Sequence, residues 1–152
     1  MKKNIIICVL AISLVIMITG CNKKESISSN KIVEDKNSSK VINSVKAIIE
    51  KKEYTTNLEN NSTAKSFANM LPQELTMSEL NGNEKYVYLD NTLPENSSSI
   101  KKVIAGDVML YGNNCLVIFY KSFDSSYSYT KIGHIDNLPD LGSKRITVLF
   151  KN

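Results

Sequence analysis

Short segments with the composition of β-strands recur from Val45 to the end of the chain, and each is bounded by residues typical of turns. Seven or eight such segments and one clear helical pattern fall within residues 44–152. A parallel sheet would need a crossover connection, usually a helix, between successive strands, and these helices are missing from the pattern. The sequence therefore predicts a mainly β domain, an antiparallel closed barrel or sandwich with one short α-helix.

The single helical pattern begins at Asn61 or Ser62, either of which can cap a helix. Four apolar residues then recur at helical spacing: Ala64, Phe67, Ala68 and Leu71. Pro72 follows, and a proline cannot continue the helix. We expect a short helix that uses one apolar face to plug an end of the barrel.

The stretch from Ala105 to Ile135 contains the densest apolar run of the domain, an aromatic-rich segment and the only histidine. Cys115–Tyr120 is apolar without alternation, which indicates burial on both faces or a barrel strand covered on its outer side by the helix. Gly133 lies within a later strand pattern and predicts a bulge or a close backbone approach. We expect this stretch to form the spine of the barrel.

The N-terminus has the organisation of a secretory leader. Lys2 and Lys3 precede an apolar run from Ile5 to Ile18, which is shorter than the roughly 20 residues that a spanning helix needs. The run ends in Ile-Thr-Gly-Cys, which resembles the lipobox of bacterial lipoproteins. That resemblance implies cleavage before Cys21 and acylation of its sulfur. An uncleaved anchor, or cleavage elsewhere, is the alternative.

These signals predict three parts of the chain: a lipoprotein signal peptide at 1–20, the lipidated Cys21 with a polar tether at 21–43, and a domain at 44–152. The tether is rich in Ser, Asn and Lys and has few apolar residues to offset the entropy of ordering. We expect a protein that is lipid-anchored on the extracytoplasmic face of the cell membrane, with the membrane as its first partner.

Composition excludes several kinds of site. Beyond the leader, 17 Lys and Arg face 15 Asp and Glu, a balance too even for nucleic-acid binding. Arg145 is the only arginine, so no clamp of several arginines can hold a phosphate. With one histidine and no cysteine cluster, the sequence predicts neither a metal site nor a cofactor. Cys115 would remain unpaired in the mature chain, and its apolar surroundings indicate an inert buried thiol.

Several segments together resemble the bacterial cyclophilin-like family of unknown function: FANMLPQELTMSELNGNEKYVYL, AGDVMLYG, CLVIFYKSF, SYSYTKIGHI and ITVLF. The resemblance covers residues 44–152. It implies a closed cyclophilin-like β-barrel, a domain that in this family is sometimes joined to flavodoxin-like domains. A role as a redox partner is therefore a remote alternative, since nothing in the chain resembles a flavin site.

True cyclophilins carry a catalytic Arg in a Phe-His-Arg motif, followed by Phe-x-x-Gln-Gly-Gly-Asp. Only Gly106-Asp107 matches that pattern here, and Arg145 opens the last strand, in a different part of the chain. Isomerase chemistry needs a donor positioned at the proline peptide, so the mismatch is also a chemical objection. The sequence thus favours a non-catalytic role. A divergent peptidyl-prolyl isomerase acting on exported proteins is the alternative.

Aromatic residues supply the candidate site. Five of them come from two strands and the loop that joins them: Tyr111, Phe119, Phe123, Tyr127 and Tyr129. At one barrel mouth they would suit a peptide or a small apolar ligand. In the alternative arrangement Tyr111 and Phe119 are core, while Tyr127 and Tyr129 shield one face.

The only imidazole, His134, is included as a possible ligand contact, although a hydrogen-bonded structural histidine is the favoured interpretation. Asp107 is interpreted as a turn or capping carboxylate. We therefore expect a non-catalytic module that binds a ligand or peptide. The sequence gives no indication of its oligomeric state.

Overall fold

The computed structural model describes residues 42–152, which form a closed eight-stranded barrel with one short helix. The predicted leader at 1–20 and the lipid site at Cys21 lie outside this range, as does the predicted tether up to residue 41. Within residues 42–152, no helix has the length and apolar character needed to cross a membrane.

The elements follow one another in an order that is almost entirely β. They are β1 (Ser44–Ile49), β2 (Lys52–Leu58), α1 (Ser62–Asn69), β3 (Gln73–Leu80), β4 (Glu84–Tyr88), β5 (Ser98–Ser99), β6 (Lys102–Val103), β7 (Asp107–Tyr111), β8 (Cys115–Phe119), β9 (Phe123–Asp124), β10 (Ser128–Ile135) and β11 (Ile146–Lys151).

The barrel strands pair in the order β2-β1-β11-β3-β4-β8-β7-β10, and β10 pairs again with β2 to close the ring. Every one of these pairings is antiparallel. Closure leaves the ring without an exposed edge strand. The prediction of a mainly β closed barrel with one short helix is confirmed.

Two tight turns set the register of the first hairpins. Glu50 and Lys51 both have positive φ, at 49° and 69°, and join β1 to β2. Asn81 and Gly82, at 58° and 72°, begin the turn between β3 and β4, as the Asn-Gly pair predicts. The Glu79 carboxylate accepts a hydrogen bond from the backbone N–H of Gly82 and holds this second turn.

Helix α1 begins at the predicted cap. The Asn61 side chain accepts a hydrogen bond from Ala64 N at 2.8 Å and donates one to the carbonyl of Lys131 at 2.8 Å. The first bond satisfies a backbone donor of the first helical turn, and the second ties the helix to β10. Phe67 is fully buried, with its ring centroid 5.2 Å from that of Phe150 on β11.

Two apolar clusters lie on opposite faces of the barrel wall. The inner core contains residues that point into the barrel, including Leu116 and Ile118 of β8. The outer cluster contains Cys115, Val117 and Phe119 of the same strand. All five residues of β8 are buried, so the prediction of burial on both faces is confirmed.

The outer cluster is covered by the short strands β6 and β9. One of the two alternatives from the sequence had the helix in that position. Val103 of β6 and Phe123 of β9 belong to the outer cluster or pack against it, whereas the helical residues Phe67 and Ala68 belong to the inner core. The idea that the helix shields the outer side of β8 is therefore wrong. Two-residue strands pair to form the cover, and so short a pairing leaves no periodicity in the sequence.

Gly133 shows both of the features predicted for it. The pairing of β10 with β7 shifts register between Lys131 and Gly133, which places a bulge there. A Cβ atom on Gly133 would also collide with the carbonyl oxygen of Asn57 on β2. The glycine thus lets β10 approach β2 closely at the point where the barrel closes.

Candidate functional site

The most exposed aromatic side chains of the domain gather in one depression on the outside of the barrel, which we call the outer groove. Its volume is about 310 Å³. It is lined by Leu80, Asn81, Glu84, Tyr86, Tyr88, Tyr111, Cys115, Val117, Tyr127 and Tyr129. Among residues 42–152, five large apolar side chains are exposed, and all except Ile104 line this groove. Because exposed apolar surface concentrated at one place is typical of interaction sites, the outer groove is the candidate functional site.

Strand alternation builds one wall of the groove. Glu84, Tyr86 and Tyr88 are alternate residues of β4, so their side chains project to the same face. The register places Tyr86 opposite Val117 and Tyr88 opposite Cys115 on the neighbouring strand β8. Val117 and Cys115 therefore form the floor beside this wall.

The facing wall comes from β7, β10 and the segment just before β10. Tyr111 is the register partner of Cys115, which places it across the floor from Tyr88. Its ring centroid lies 5.7 Å from that of Tyr129 and 6.4 Å from that of Tyr127. Tyr129 is 7% exposed, while Tyr111 and Tyr127 are 50% and 60% exposed. One buried ring thus supports two open ones.

Glu84 places a carboxylate at the end of the groove next to the β3–β4 turn. It is only 8% exposed. Burial raises its pKa above the ordinary value, the nearby Glu79 adds to the rise, and a hydrogen bond with the Asn81 side chain opposes it. Within residues 42–152 no Lys, Arg or His nitrogen lies within 4.0 Å of this carboxylate.

Burial also raises the pKa of two other groups that line the groove, Tyr129 and Cys115. Burial, with smaller contributions from Glu84 and Tyr111, raises the pKa of Tyr129 to about 12. Burial likewise raises the pKa of Cys115. The thiol therefore has little thiolate character, which agrees with the prediction of an inert buried cysteine. The groove offers phenol hydroxyls, aromatic rings and one carboxyl group, but no activated nucleophile.

The structure brings three of the six predicted ligand contacts together. Tyr111, Tyr127 and Tyr129 line the outer groove. Phe119 is fully buried in the outer cluster, with the rings of Phe123 and Tyr129 at 5.6 Å and 5.5 Å. Phe119 has no surface to offer a ligand, and Phe123 packs against the cluster outside the groove lining.

His134, the sixth predicted contact, lies outside the groove lining. Its Nδ1 is 3.1 Å from Oδ1 of Asp107, and Lys131 Nζ is 3.3 Å from the same oxygen. The second carboxylate oxygen of Asp107 accepts a hydrogen bond from Ile104 N at 2.9 Å. His134 is thus hydrogen-bonded and links β10 to β7, and Asp107 caps the turn before β7, as the structural interpretations predict.

Sequence reasoning missed Glu84, Tyr86 and Tyr88, which form a whole wall of the groove. The signal was present, since Glu-x-Tyr-x-Tyr places one carboxylate and two aromatic side chains on one face of a strand. Their position opposite Tyr111 depends on the pairing of β4 with β8, a contact between segments about 30 residues apart. No local sequence pattern predicts a pairing between such distant segments.

Two further observations concern residues outside the outer groove. Arg145 borders a separate depression with Ile48, Glu74 and Leu149, and is not part of the outer groove. Among residues 42–152, no group of three or more His, Cys, Asp or Glu side chains is placed to hold a metal ion.

The sequence model of the cyclophilin-like family matches residues 47–151, a range that spans the barrel from β1 to β11. No curated protein and no solved structure matches the chain significantly.

Proposed function

The chain belongs to the cyclophilin-like family, and from that premise we propose that it is a non-catalytic ligand-binding protein, held at a membrane by lipid on Cys21. The outer groove is its binding site. The observation that carries this proposal is the concentration of exposed apolar side chains there: Leu80, Tyr88, Tyr111 and Tyr127. Leaving these side chains in water is unfavourable, and a bound ligand would cover them.

The chemistry of the groove supports binding over catalysis. Its lining has a single carboxyl group, from Glu84, and no Lys, Arg or His. The thiol of Cys115 is held in its neutral form by burial. General acid–base and nucleophilic catalysis both need a base beside the group that it activates, and the lining offers no such pair.

A small-molecule binding screen tests the site. The full chain, purified in a non-ionic detergent, is screened by thermal shift, and hits are titrated by calorimetry. We expect Leu80→Ala, in the groove, to weaken hits about tenfold, an effect typical of losing one well-packed apolar contact. Ile104→Ala is the matched control, because both residues are 44% exposed and Ile104 lies outside the groove. Equal effects of the two substitutions would overturn this assignment.

Membrane anchoring is tested separately by metabolic labelling with a radioactive fatty acid. The lipobox-like Ile-Thr-Gly-Cys that ends the apolar leader supports lipidation of Cys21. We expect label in the wild-type chain and none in Cys21→Ser. Label that persists in the substituted chain would contradict anchoring at this residue.

A protease-coupled assay with a proline peptide tests the absence of catalysis. We expect a rate equal to the uncatalysed background, because Arg145, the one arginine in the chain, lies outside the groove. A rate above background that falls in Tyr111→Leu would instead assign isomerase activity to the outer groove.

A further inference from the structure

Tyrosines inside and outside the groove differ in whether a lysine ammonium lies over the ring. Of the seven tyrosines, only Tyr54 and Tyr120 lie outside the groove lining, and each has a lysine ammonium over its ring. Lys52 Nζ is 5.0 Å from the centroid of Tyr54, and Lys85 Nζ is 5.1 Å from that of Tyr120. Within residues 42–152, none of the five groove tyrosines has such a cation. Tyrosine faces carry negative potential and attract cations at these distances.

The carboxylate of the groove lacks a cation as well. Glu84 is more than nine-tenths buried and has no basic nitrogen within 4.0 Å in the described part of the chain. A buried carboxylate without a counter-charge is unfavourable, and a positively charged ligand beside it would relieve that penalty. The groove thus joins two features that favour a cation: open aromatic faces and a buried carboxylate with no basic partner among residues 42–152.

The size of the groove limits what the cation can be. Its volume of about 310 Å³ lies at the small end of ligand pockets. Aromatic walls suit a weakly hydrated ammonium that carries methyl or methylene groups, because its carbon atoms pack against the rings while its charge is attracted to them. A bare metal ion would gain little here, since the lining supplies one carboxyl group and no second acidic or imidazole ligand.

We propose that the outer groove binds a small organic cation, with its ammonium group among the tyrosine rings and the Glu84 carboxylate as its counter-charge. This inference rests on the proposed function and names the ligand class for the same site. Choline-like and ethanolamine-like groups share this chemistry, whether they come from a soluble amine or from a phospholipid headgroup.

The charged and titratable surroundings of Glu84 give binding a direction with pH. Glu79 on β3, Cys115 on β8, Tyr120 after it and Tyr129 on β10 all interact electrostatically with Glu84. The Glu79 carboxylate brings a second acidic group near Glu84, which adds to the attraction for a cation. Because the cation prefers the ionised form of Glu84, affinity falls as the pH drops through the raised pKa of this group.

Calorimetric titration with choline, ethanolamine and 3,3-dimethylbutan-1-ol tests the inference on the detergent-purified full chain. The last compound is a neutral carbon analogue of choline with nearly the same shape. We expect choline to bind saturably and the neutral analogue to bind about tenfold more weakly, a ratio within the range for desolvated cation–π contacts. Glycerophosphocholine, titrated alongside, separates the two sources. Tighter binding than choline indicates a headgroup, and weaker binding indicates a soluble amine.

Two substitutions test whether the Glu84 carboxylate is the group that attracts the cation. Glu84→Gln keeps the shape of the side chain and removes its charge, so we expect it to weaken choline about tenfold and to leave the neutral analogue unchanged. Glu95→Gln is the control, because Glu95 is exposed, lies outside the groove lining and changes the net charge equally. If Glu84→Gln unfolds the protein, the fall in wild-type affinity at low pH provides the same test.

The results separate this inference from the proposed function. Choline and its neutral analogue binding equally, Glu84→Gln having no effect on choline, or no saturable binding of either amine would each overturn the cation assignment. The groove would still be the binding site if Leu80→Ala weakened other ligands and Ile104→Ala did not. The binding role proposed for the groove fails if substitutions in the groove leave every ligand unaffected.

Discussion

Two neighbouring residues of β4 carry opposite charges into opposite faces of the barrel wall, and their surroundings differ. Lys85 is fully buried, and its Nζ donates hydrogen bonds to the carbonyls of Gly142 and Lys144 at 2.5 Å and 2.7 Å. Glu84, 8% exposed, lines the outer groove without a basic partner within 4.0 Å in residues 42–152. Desolvation lowers the pKa of Lys85 and raises that of Glu84.

Lys85 and Glu84 differ in the groups that satisfy their charges. Lys85 uses two donors on carbonyls of the segment before β11, and its ammonium lies 5.1 Å from the ring centroid of Tyr120. The protein itself therefore satisfies this cation, and its role is to hold that segment against the barrel. Glu84 has an open aromatic groove beside it instead. A buried charge that is satisfied by the protein's own groups contributes to stability. A buried charge that lies beside an open groove is available to a ligand.

Removing the satisfied charge should give the largest effect on stability. Lys85→Met keeps the apolar stem but deletes two charge-assisted hydrogen bonds, so we expect unfolding free energy to fall by about 2–3 kcal/mol. Urea denaturation measures the change. Lys65→Met, at an exposed helical position, is the control and should stay within about 0.5 kcal/mol of wild type. If Lys85→Met lowered the unfolding free energy as little as Lys65→Met does, water would be able to replace the ammonium without penalty.

A second pair of substitutions compares the buried cluster with the groove wall. Phe119→Leu removes a ring packed between Phe123 and Tyr129, and we expect a loss of about 1–2 kcal/mol. Tyr111→Leu removes a ring that is half exposed and should change stability by less than about 0.5 kcal/mol while weakening ligands. Comparable losses of stability in both would place Tyr111 in the core and remove it from the binding site.

Neutralising the open charge should stabilise the domain. The pKa of Glu84 is raised above its ordinary value of 4.5 in the folded state, so its ionisation opposes folding at neutral pH. We therefore expect Glu84→Gln to raise the free energy of unfolding at pH 7, as measured by urea denaturation.

The pH profile of the same variant supplies the control. Below the ordinary carboxyl pKa, Glu84 is protonated in both the folded and unfolded states, so the gain should vanish. It should grow as the pH rises from that value through the raised pKa of the folded state. A gain that does not change with pH would come from packing, and it would contradict a penalty for the buried charge.

The barrel could be predicted from the sequence because its determinants are local. Asn61 caps the helix, Asn81 and Gly82 make a hairpin turn, and Gly133 marks a bulge, each through the backbone preferences of a few residues. The two-residue strands β6 and β9 were missed, because a pairing so short has no periodicity to read. They alter the site, since they cover Phe119 and exclude it from the ligand surface.

Only part of the groove could be predicted from the sequence, because the rest depends on strand pairing between distant segments. Tyr111, Tyr127 and Tyr129 lie close together in sequence and drew attention as a cluster. Tyr86 and Glu84 lie far from them along the chain, and their approach depends on the pairing of β4 with β8. His134 was included only as a possible ligand contact, and a hydrogen-bonded structural role was the favoured interpretation. The bulged strand β10 directs its side chain to Asp107.

The most direct test of the account is a nuclear magnetic resonance titration of the isotopically labelled protein with choline. We expect backbone amide shifts confined to the groove-lining parts of the chain, namely the β3–β4 turn, β4, Tyr111, β8 and residues 127–129, with the signals of Glu84 and Tyr88 among the largest changes. Glu84→Gln should strongly reduce these shifts at the same choline concentration, and Glu95→Gln should retain them. Shifts centred on Lys85 and residues 142–144, or no shifts at all, would contradict the assignment of the outer groove as the binding site.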